Sequence, residues 1–561
     1  MYRKLAFRPV IFDTLKNYSK EKFISDLVAG INVGIVALPL SIAFGTASGV
    51  SPEKGIITAI VAGFIGSMLG GCSIQITGPT GALIVTVFGI IAQFGMEGLA
   101  IATFMGGIML ILMGLLRMGT VIKFIPYPIV VGFTSGIALS IFTSQVKDFL
   151  GLTLDENPVD FVSKWIAIFR NIETINPAPL IVSIITILFI KLSPKVSKKI
   201  PGALIAIIVM SAVVFALREY AGFTGIETIG DRFVIDTSIP APHMLTLNME
   251  TINQLFPTAF TIAILGAIVS LLSATVADGM IGQKHDANTE LVAQGVANLF
   301  TPLFGGIPAT GAVARTITNI NNGGRTPIAG MIHAVVLLVI LVVLGSLTKY
   351  IPMACLAGIL VVVSYNMSEW RTFRSLMKNP KSEAAVLITT FILTVVFSLT
   401  IAIEVGLLLA MVLFLRRVAE TTKISVFTDQ LSLSDESELY GDNDTLSLPT
   451  GVEVYEIEGP FFFGVASKFD EYTKVVGDKP KIRIIRMRRV PFIDSTGVRN
   501  LELFVRLSKE EKIDIILSGV NSKVRDVLIR SGFAAKLGEE NICDNITLAI
   551  ERSREMLKTK H

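Results

Sequence analysis

Charge is what this chain is short of. Asp, Glu, Lys and Arg make up only 17% of its 561 residues, where a soluble globular protein carries about 25%. That excludes an ordinary soluble enzyme. Cysteine is scarce as well: Cys72, Cys355 and Cys543 stand far apart, form no metal-ligand or redox spacing, and read as buried small residues. The histidines, His243, His285, His333 and His561, are scattered, and no nucleophile–base arrangement accompanies them. No enzymatic site, metal or cofactor is therefore expected. A net charge of +4 points to no particular partner, and nucleic acid is not expected as one. Residues 1–24 form a polar, basic segment (Arg3, Lys4, Arg8, Lys16, Lys20, Lys22) without an apolar run. No cleavable signal peptide is expected there, and the first crossing would act as its own insertion signal.

What the chain has instead is apolar length. Hydrophobic residues make up 52% of it, and the mean hydropathy is +0.66. A run of roughly 18 or more apolar residues crosses a bilayer core of about 30 Å as a helix. Candidates are Leu99–Leu116, Pro179–Leu192, Leu204–Leu217, Ile328–Leu347 and Ala384–Ile403, with Leu27–Gly49 and Ile74–Ile91 interrupted by Gly and Pro. About fourteen crossings or partial crossings are expected. Basic residues gather in Arg117–Lys123, Lys191–Lys199, Lys284–His285, Arg315–Arg325 and Arg371–Lys381, whereas Arg218–Asn253 is acidic. By the positive-inside rule both termini lie in the cytoplasm. The expected organisation is a transmembrane domain over 25–420, a Ser-, Asp- and Glu-rich solvated linker over 421–450, and a soluble α/β domain over 451–561. In that last domain strands are expected at Val452–Ile457, Lys481–Met487 and Ile513–Leu517. Helices are expected at Val465–Val475, Ser495–Lys509, Lys523–Ser531 and Leu548–Leu557.

Two segments break the helical pattern in related ways. One reads Ser73-Ile-Gln-Ile-Thr-Gly-Pro-Thr-Gly-Ala82 and the other Gly305-Gly-Ile-Pro-Ala-Thr-Gly-Ala-Val-Ala-Arg315. Each offers an extended approach, a proline, then Thr-Gly-Ala opening a short helix. Proline suits the first turn, where its missing N–H costs nothing. Non-helical backbone at membrane depth is tolerated only where it is buried in protein or lines a cavity, and paired Gly/Pro-interrupted segments point to a transporter's binding site. Helix N-termini carry partial positive charge and free N–H donors, so two of them facing one another favour an anion. The alternative is two kinked membrane helices.

With these residues in view, the chain resembles the sulfate permease (SulP) family of anion transporters. The resemblance is carried by Leu27-Val-Ala-Gly-Ile-Asn-Val-Gly-Ile-Val-Ala-Leu-Pro39, Gly78-Pro-Thr-Gly81, His285-Asp-Ala-Asn-Thr-Glu-Leu-Val-Ala-Gln-Gly295 and Phe304-Gly-Gly-Ile-Pro-Ala-Thr-Gly-Ala312. Arg315-Thr-Ile-Thr-Asn319 belongs with them, and Phe492-Ile-Asp-Ser-Thr-Gly-Val498 is similar to the core motif of STAS domains. The resemblance spans almost the whole chain. It implies a polytopic α-helical membrane protein with about fourteen segments in two inverted repeats of seven, roughly 25–220 and 250–420, forming a core and a gate, usually as a homodimer. It also implies a small cytoplasmic α/β STAS domain, a place in the bacterial cytoplasmic (inner) membrane, and a small anion as substrate. Some bacterial relatives with a similar overall look carry dicarboxylates; others carry sulfate or bicarbonate. The implied site takes Leu40 and Phe44 from the first segment, Pro79, Thr80 and Gly81 from the third, and Thr310, Gly311, Ala312, Val313 and Ala314 from the tenth. Arg315 lies just behind and adds positive potential, unless it is an end anchor that snorkels outward. In STAS-like proteins the serine of the Asp-Ser-Thr-Gly turn is a phosphorylation site; here Ser495 holds that place, which also suits a helix cap. Arg486, Arg488 and Arg489 beside it offer a surface for an acidic protein partner or a solvated face.

One position departs from the family. Relatives usually carry a carboxylate immediately before Ser270-Leu271-Leu272, linked to proton or sodium coupling, and here that residue is Val269. Valine neither binds a proton nor ligates an ion. Val313 likewise lacks the ligand oxygen of sodium-coupled relatives, and Asp278 lies nine residues on, roughly 13 Å along a helix. Three readings stand: a secondary transporter of C4-dicarboxylate, sulfate or bicarbonate with its coupling in doubt, an anion channel or uncoupled exchanger, and a membrane-tethered STAS signalling protein.

Overall fold

The fold is taken from a computed structural model that describes residues 7–16, 18–122, 126–155, 158, 160–196, 202–234, 236, 241–245, 248–378, 380–397, 399–432, 445–464 and 479–559. The chain divides into two compact units, Met1–Leu408 and Leu409–His561.

The first unit is helical. Helix α1 (Lys20–Ala47) starts where the Ser19 side chain accepts from the Lys22 N–H, and α2 (Pro52–Leu69) starts on a proline that lacks the N–H a first turn would leave unpaired. After a two-residue strand β1 (Thr77–Gly78) and a 3₁₀ turn at Gly81–Leu83, α3 (Ile84–Leu115) runs on with a break at Gly95. Then come α4 (Tyr127–Leu150), the short α5 (Phe161–Arg170), α6 (Pro177–Val196) and α7 (Gly202–Ala221). The second half repeats the pattern. It has α8 (Met249–Ile281), α9 (Ala287–Phe300), strand β2 (Thr310–Gly311) leading into α10 (Val313–Asn321), then α11 (Pro327–Leu344), α12 (Met353–Met367), α13 (Lys381–Val396) and α14 (Leu399–Thr421). Counting α3 as two segments across Gly95 and leaving α5 aside, each half contributes seven segments and the third of each begins as a strand. Eight of the described helices are long and apolar enough to cross a membrane, and Pro177–Ser193 is a shorter apolar one.

The segments sort into two bundles by what they pack on. Helix α3 lies on α8 and α9, and α11 lies on α1 and α2; α4 lies on α12 and α13, and α6 on α7 and α12. The first set is the core and the second the gate of the 7+7 inverted-repeat fold. Glycine brings core helices together: a Cβ at Gly107 would stand 2.7 Å from the Gly295 carbonyl oxygen and 2.8 Å from the Leu299 nitrogen. One expected crossing is corrected. Ala384–Ile403 is not a single span, because Phe397 (φ −110°, ψ −99°) ends α13 inside it and α14 follows. The turn carries no Gly or Pro to mark it, so an unbroken apolar run hid two helix ends.

The second unit is an α/β domain built on a five-stranded sheet. Its strands are β3 (Lys423–Phe427), β4 (Val452–Glu458), β5 (Ile482–Arg489), β6 (Asp514–Ser518) and β7 (Ile542–Cys543), lying side by side in that order; β3 is antiparallel to β4 and the rest are parallel. Alternation sets the two faces. Tyr455, Ile457, Ile485 and Met487 bury one face under α15 (Ser495–Glu510) and α16 (Ser522–Arg530), while Val452, Val454, Ile482 and Ile484 bury the other under α17 (Ile546–Thr559). The stretch expected as linker therefore supplies an edge strand, and the last turns of α14 add Val418 and Ala419 to the core beneath α15 and α16. The helix expected at Val465–Val475 and the middle of the linker, 433–444, lie outside the described residues.

Candidate functional site in the core bundle

The site is organised by the shortest ladder in the protein. β1 and β2 pair antiparallel, Thr77 opposite Gly311 and Gly78 opposite Thr310. An antiparallel pair has a local two-fold, so the chain leaves it in opposite directions and enters two helices whose N-termini sit at the ladder. The proline motifs are offset from the expected correspondence. Thr77-Gly78 matches Thr310-Gly311, and Pro79 matches Ala312. Ala312 donates its N–H to Ile76 at 2.8 Å. Proline cannot donate the mirror-image bond, and Asn298 supplies it instead: its Nδ2 donates to the Ala309 carbonyl and its Oδ1 accepts from the Ala309 N–H, both at 2.8 Å. Neither proline opens a helix, which corrects the first-turn placement; Pro79 precedes the Thr80 cap, and Pro308 lies before β2.

Thr80 caps the 3₁₀ turn and Ala312 caps α10, and neither makes a side-chain cap bond. Among the described residues the first N–H groups of both helices thus have no side-chain acceptor, next to the dipoles' positive ends. The Thr80 and Thr310 hydroxyls meet across the ladder at 2.9 Å. Gly311 donates its N–H to Ser270 Oγ at 2.9 Å, which brings α8 and its Val269 against β2. Leu40, Thr80 and Val313 are half-buried and Ala314 is exposed; Phe44, Pro79, Gly81, Val269, Thr310, Gly311 and Ala312 are buried. Helix α1, which carries Leu40 and Phe44, packs on α10. A Cβ at Gly81 would meet the Met367 sulfur at 2.7 Å, so this turn abuts the gate.

Arg315 is only 1% exposed, so it does not snorkel. Its Nη2 donates to the Pro79 carbonyl, and its Nη1 has no hydrogen-bond partner among the described residues. A second group of residues was not singled out in the sequence. Glu290 accepts from the Gly71 N–H at 2.9 Å, the Cys72 N–H at 3.0 Å, and the Gln75 and Gln294 amides at 2.9 Å each. Gln294 also donates to Thr77 Oγ1 at 2.7 Å. The signal was there: Glu290, Gln294 and Asn298 follow an i, i+4, i+8 spacing along α9, a polar stripe in an apolar segment. Other carboxylates around the core bundle are engaged elsewhere, except that Glu53 on α2, which accepts from Ser51, keeps one buried oxygen without a partner among the described residues. Asp278 accepts from His285 N at 3.0 Å, and Asp26 accepts from Tyr18, Arg325 and Thr326.

In the second unit Asp494, not Ser495, caps α15, accepting from the Gly497 N–H at 2.7 Å and the Phe463 N–H at 3.2 Å. Ser495 stands exposed at the first helical position. The three arginines do not form one free basic surface. Arg486 is buried and 3.2 Å from Glu456, and Arg489 pairs with Glu458. Arg483 lies over the Tyr455 and Phe504 rings at 5.7 and 5.5 Å, and burial pushes the Tyr455 hydroxyl up to about 12.

The likeness to known proteins runs along the whole chain. It is 40% identical over 534 residues to the candidate sulfate transporter YvdB of Bacillus subtilis, covering 94% of this chain and 98% of that one. It is 30% identical over 510 residues to the bicarbonate transporter BicA of Picosynechococcus, covering 88% of each. The solved transmembrane domain of a cyanobacterial BicA superposes with a TM-score of 0.61 at 28% identity over 70% of this chain and 98% of that chain. The inward-facing murine anion transporter Slc26a9 shares the fold with a TM-score of 0.87, 18% identity, and coverage of 99% and 96%. Residues 447–549 match the STAS domain, and residues 23–390 match the sulfate permease family, to which this chain belongs.

Proposed function

We propose that this protein carries a small inorganic oxyanion, sulfate or bicarbonate, across the bacterial cytoplasmic membrane by alternating access, as a homodimer with both termini inside. The anion sits between the Thr80–Gly81 turn and the Ala312–Ala314 start of α10, with Leu40, Phe44, Val269 and Thr310 around it. The observation that carries this reading is the pair of helix N-termini that meet at the β1–β2 ladder without side-chain caps. Their dipoles and N–H donors favour an anion without requiring a carboxylate clamp. Arg315, buried behind Pro79 with one nitrogen unpaired among the described residues, adds positive potential. Sulfate and bicarbonate are favoured over C4-dicarboxylates because the relatives YvdB and BicA are named for them.

Val269 makes this carrier an uncoupled one, an exchanger or facilitator. The position beside Ser270 is buried and apolar, and Glu290 and Asp278 are held by other partners. The test is uptake of labelled sulfate, bicarbonate and fumarate into proteoliposomes, with and without an inward proton gradient. The wild type is expected to move sulfate or bicarbonate equally well in both conditions, and Val269→Glu to make uptake depend on the gradient. Uptake by the wild type only with the gradient would overturn the uncoupled reading. Ser495, exposed at a helix N-terminus, is proposed as a phosphorylation site that adjusts partner binding at the STAS domain, to be checked by mass spectrometry of the protein from cells.

A further inference from the structure

A cavity of about 540 Å³ opens between the two bundles on the side toward which α1 ends, lined by Thr46 and Ala47 there and by Ile84, the first residue of α3. It also takes in Thr258 and Thr261, two to three turns before Val269 on α8. Lys164 of α5 faces the same space. Its ammonium lies 4.9 Å over the ring of Phe88, which belongs to the core helix α3, while α5 is part of the loop joining gate helices α4 and α6. No carboxylate among the described residues comes within 4.0 Å of it. Asp160 caps α5 and acts on Lys164 only through space. The cavity's arginine is neutralised: Arg232 bridges Asp148 at 2.8 Å and Glu227 at 2.5 Å.

An ammonium seated on an aromatic face is held in place without being neutralised. Here it is also half-buried, and loss of water lowers its pKa. Such a cation gains most from an anion that replaces the missing solvation. The same lining carries Lys147, Asp148 and Asp160, so the attraction for an anion is local to the Lys164 ammonium and is strengthened there by the low dielectric of the cleft. We propose that Lys164 is the recruiting residue of an outer anchoring site for the transported oxyanion, placed where the anion waits before it reaches the helix N-termini; this rests on the function proposed above.

The experiment measures uptake and efflux of labelled sulfate and bicarbonate separately in proteoliposomes of known protein orientation, at low and high ionic strength. Lys164→Gln should raise the KM for entry from the cavity side about three- to tenfold, and Lys164→Glu should raise it further. Saturating entry flux should change by less than about twofold, and because an uncoupled carrier obeys detailed balance, the ratio of saturating flux to KM in the opposite direction should fall by the same factor as for entry. The salt dependence of the cavity-side KM should largely vanish in Lys164→Gln and return in Lys164→Arg. An unchanged cavity-side KM and salt dependence in both Lys164→Gln and Lys164→Glu overturns the proposal. So does a rise in KM that keeps its full salt dependence, which marks a structural role, and so does an effect reproduced by Lys147→Gln but absent from the Lys164 variants. A wild type that moves neither anion overturns the function itself, a result distinct from these.

Discussion

Single residues around the ladder are over-determined by their contacts. Glu290 is surrounded by donors: two backbone N–H groups and two side-chain amides converge on one buried carboxylate. Glu290→Ala would leave the Gly71 and Cys72 N–H groups and the Gln75 amide without an acceptor, each at about 1–3 kcal/mol before relaxation, while Gln294 keeps its bond to Thr77. A loss of about 3 kcal/mol or more is expected from the unmet donors, read as a large fall in the melting temperature of the detergent-solubilised protein. Glu290→Gln should also destabilise, because its amide presents hydrogens where acceptors are needed. Gly311 is constrained by space. A Cβ there would stand 3.0 Å from the Ser270 Cα and collide with the Gln75 amide. Gly311→Ala should cost about 1–3 kcal/mol through overpacking and should also disturb the Gln75–Glu290 bond, so transport should fall more than stability does. Normal flux in Gly311→Ala liposomes would show that the ladder tolerates widening.

At the level of elements, two glycines do different work. Gly95 breaks α3 with φ +67° and ψ −169°, a region that residues with side chains rarely enter, although nothing would lie within 4 Å of an added Cβ. Gly95→Ala should therefore cost about 1–3 kcal/mol as backbone strain alone, and larger side chains should cost little more than alanine. Gly107 has ordinary helical geometry, but its neighbours are the backbone of α9. The cost there should climb with size from Gly107→Ala to Gly107→Leu. Thermal unfolding of the two series checks the contrast; parallel size dependence in both would refute the assignment of strain to Gly95.

For the whole molecule, the unit division inside α14 makes a separate claim. The STAS core includes Val418 and Ala419, which precede the first strand. A fragment beginning at Leu409 should be more stable than one beginning at Thr422, since the shorter fragment loses that apolar cover at about 25 cal/mol per Å². Denaturant unfolding followed by circular dichroism measures the difference, and equal midpoints would show that the helix end contributes nothing.

Much of this was legible in the residues themselves. Apolar length and the thin charge fixed a membrane helix protein, because the bilayer demands both. Composition changes marked the soluble domain, and Gly78-Pro-Thr-Gly81 with Ala309-Thr-Gly-Ala312 marked the two interrupted segments. Helix termini without a local signal were not legible, which is why one run concealed the end of α13 and the start of α14. Tertiary structure alone decided which residues of the two motifs are partners. Repeated letters aligned proline with proline, whereas the ladder aligns Pro79 with Ala312 and passes the missing hydrogen bond to Asn298. It also decided that Glu290 serves as a hub and that Arg315 stays inside. Such pairings are set by the meeting of segments more than 200 residues apart, with separations of 215 for Gln75–Glu290 and 236 for Pro79–Arg315. Local pattern records what a segment is made of, and only the packed fold determines what it touches.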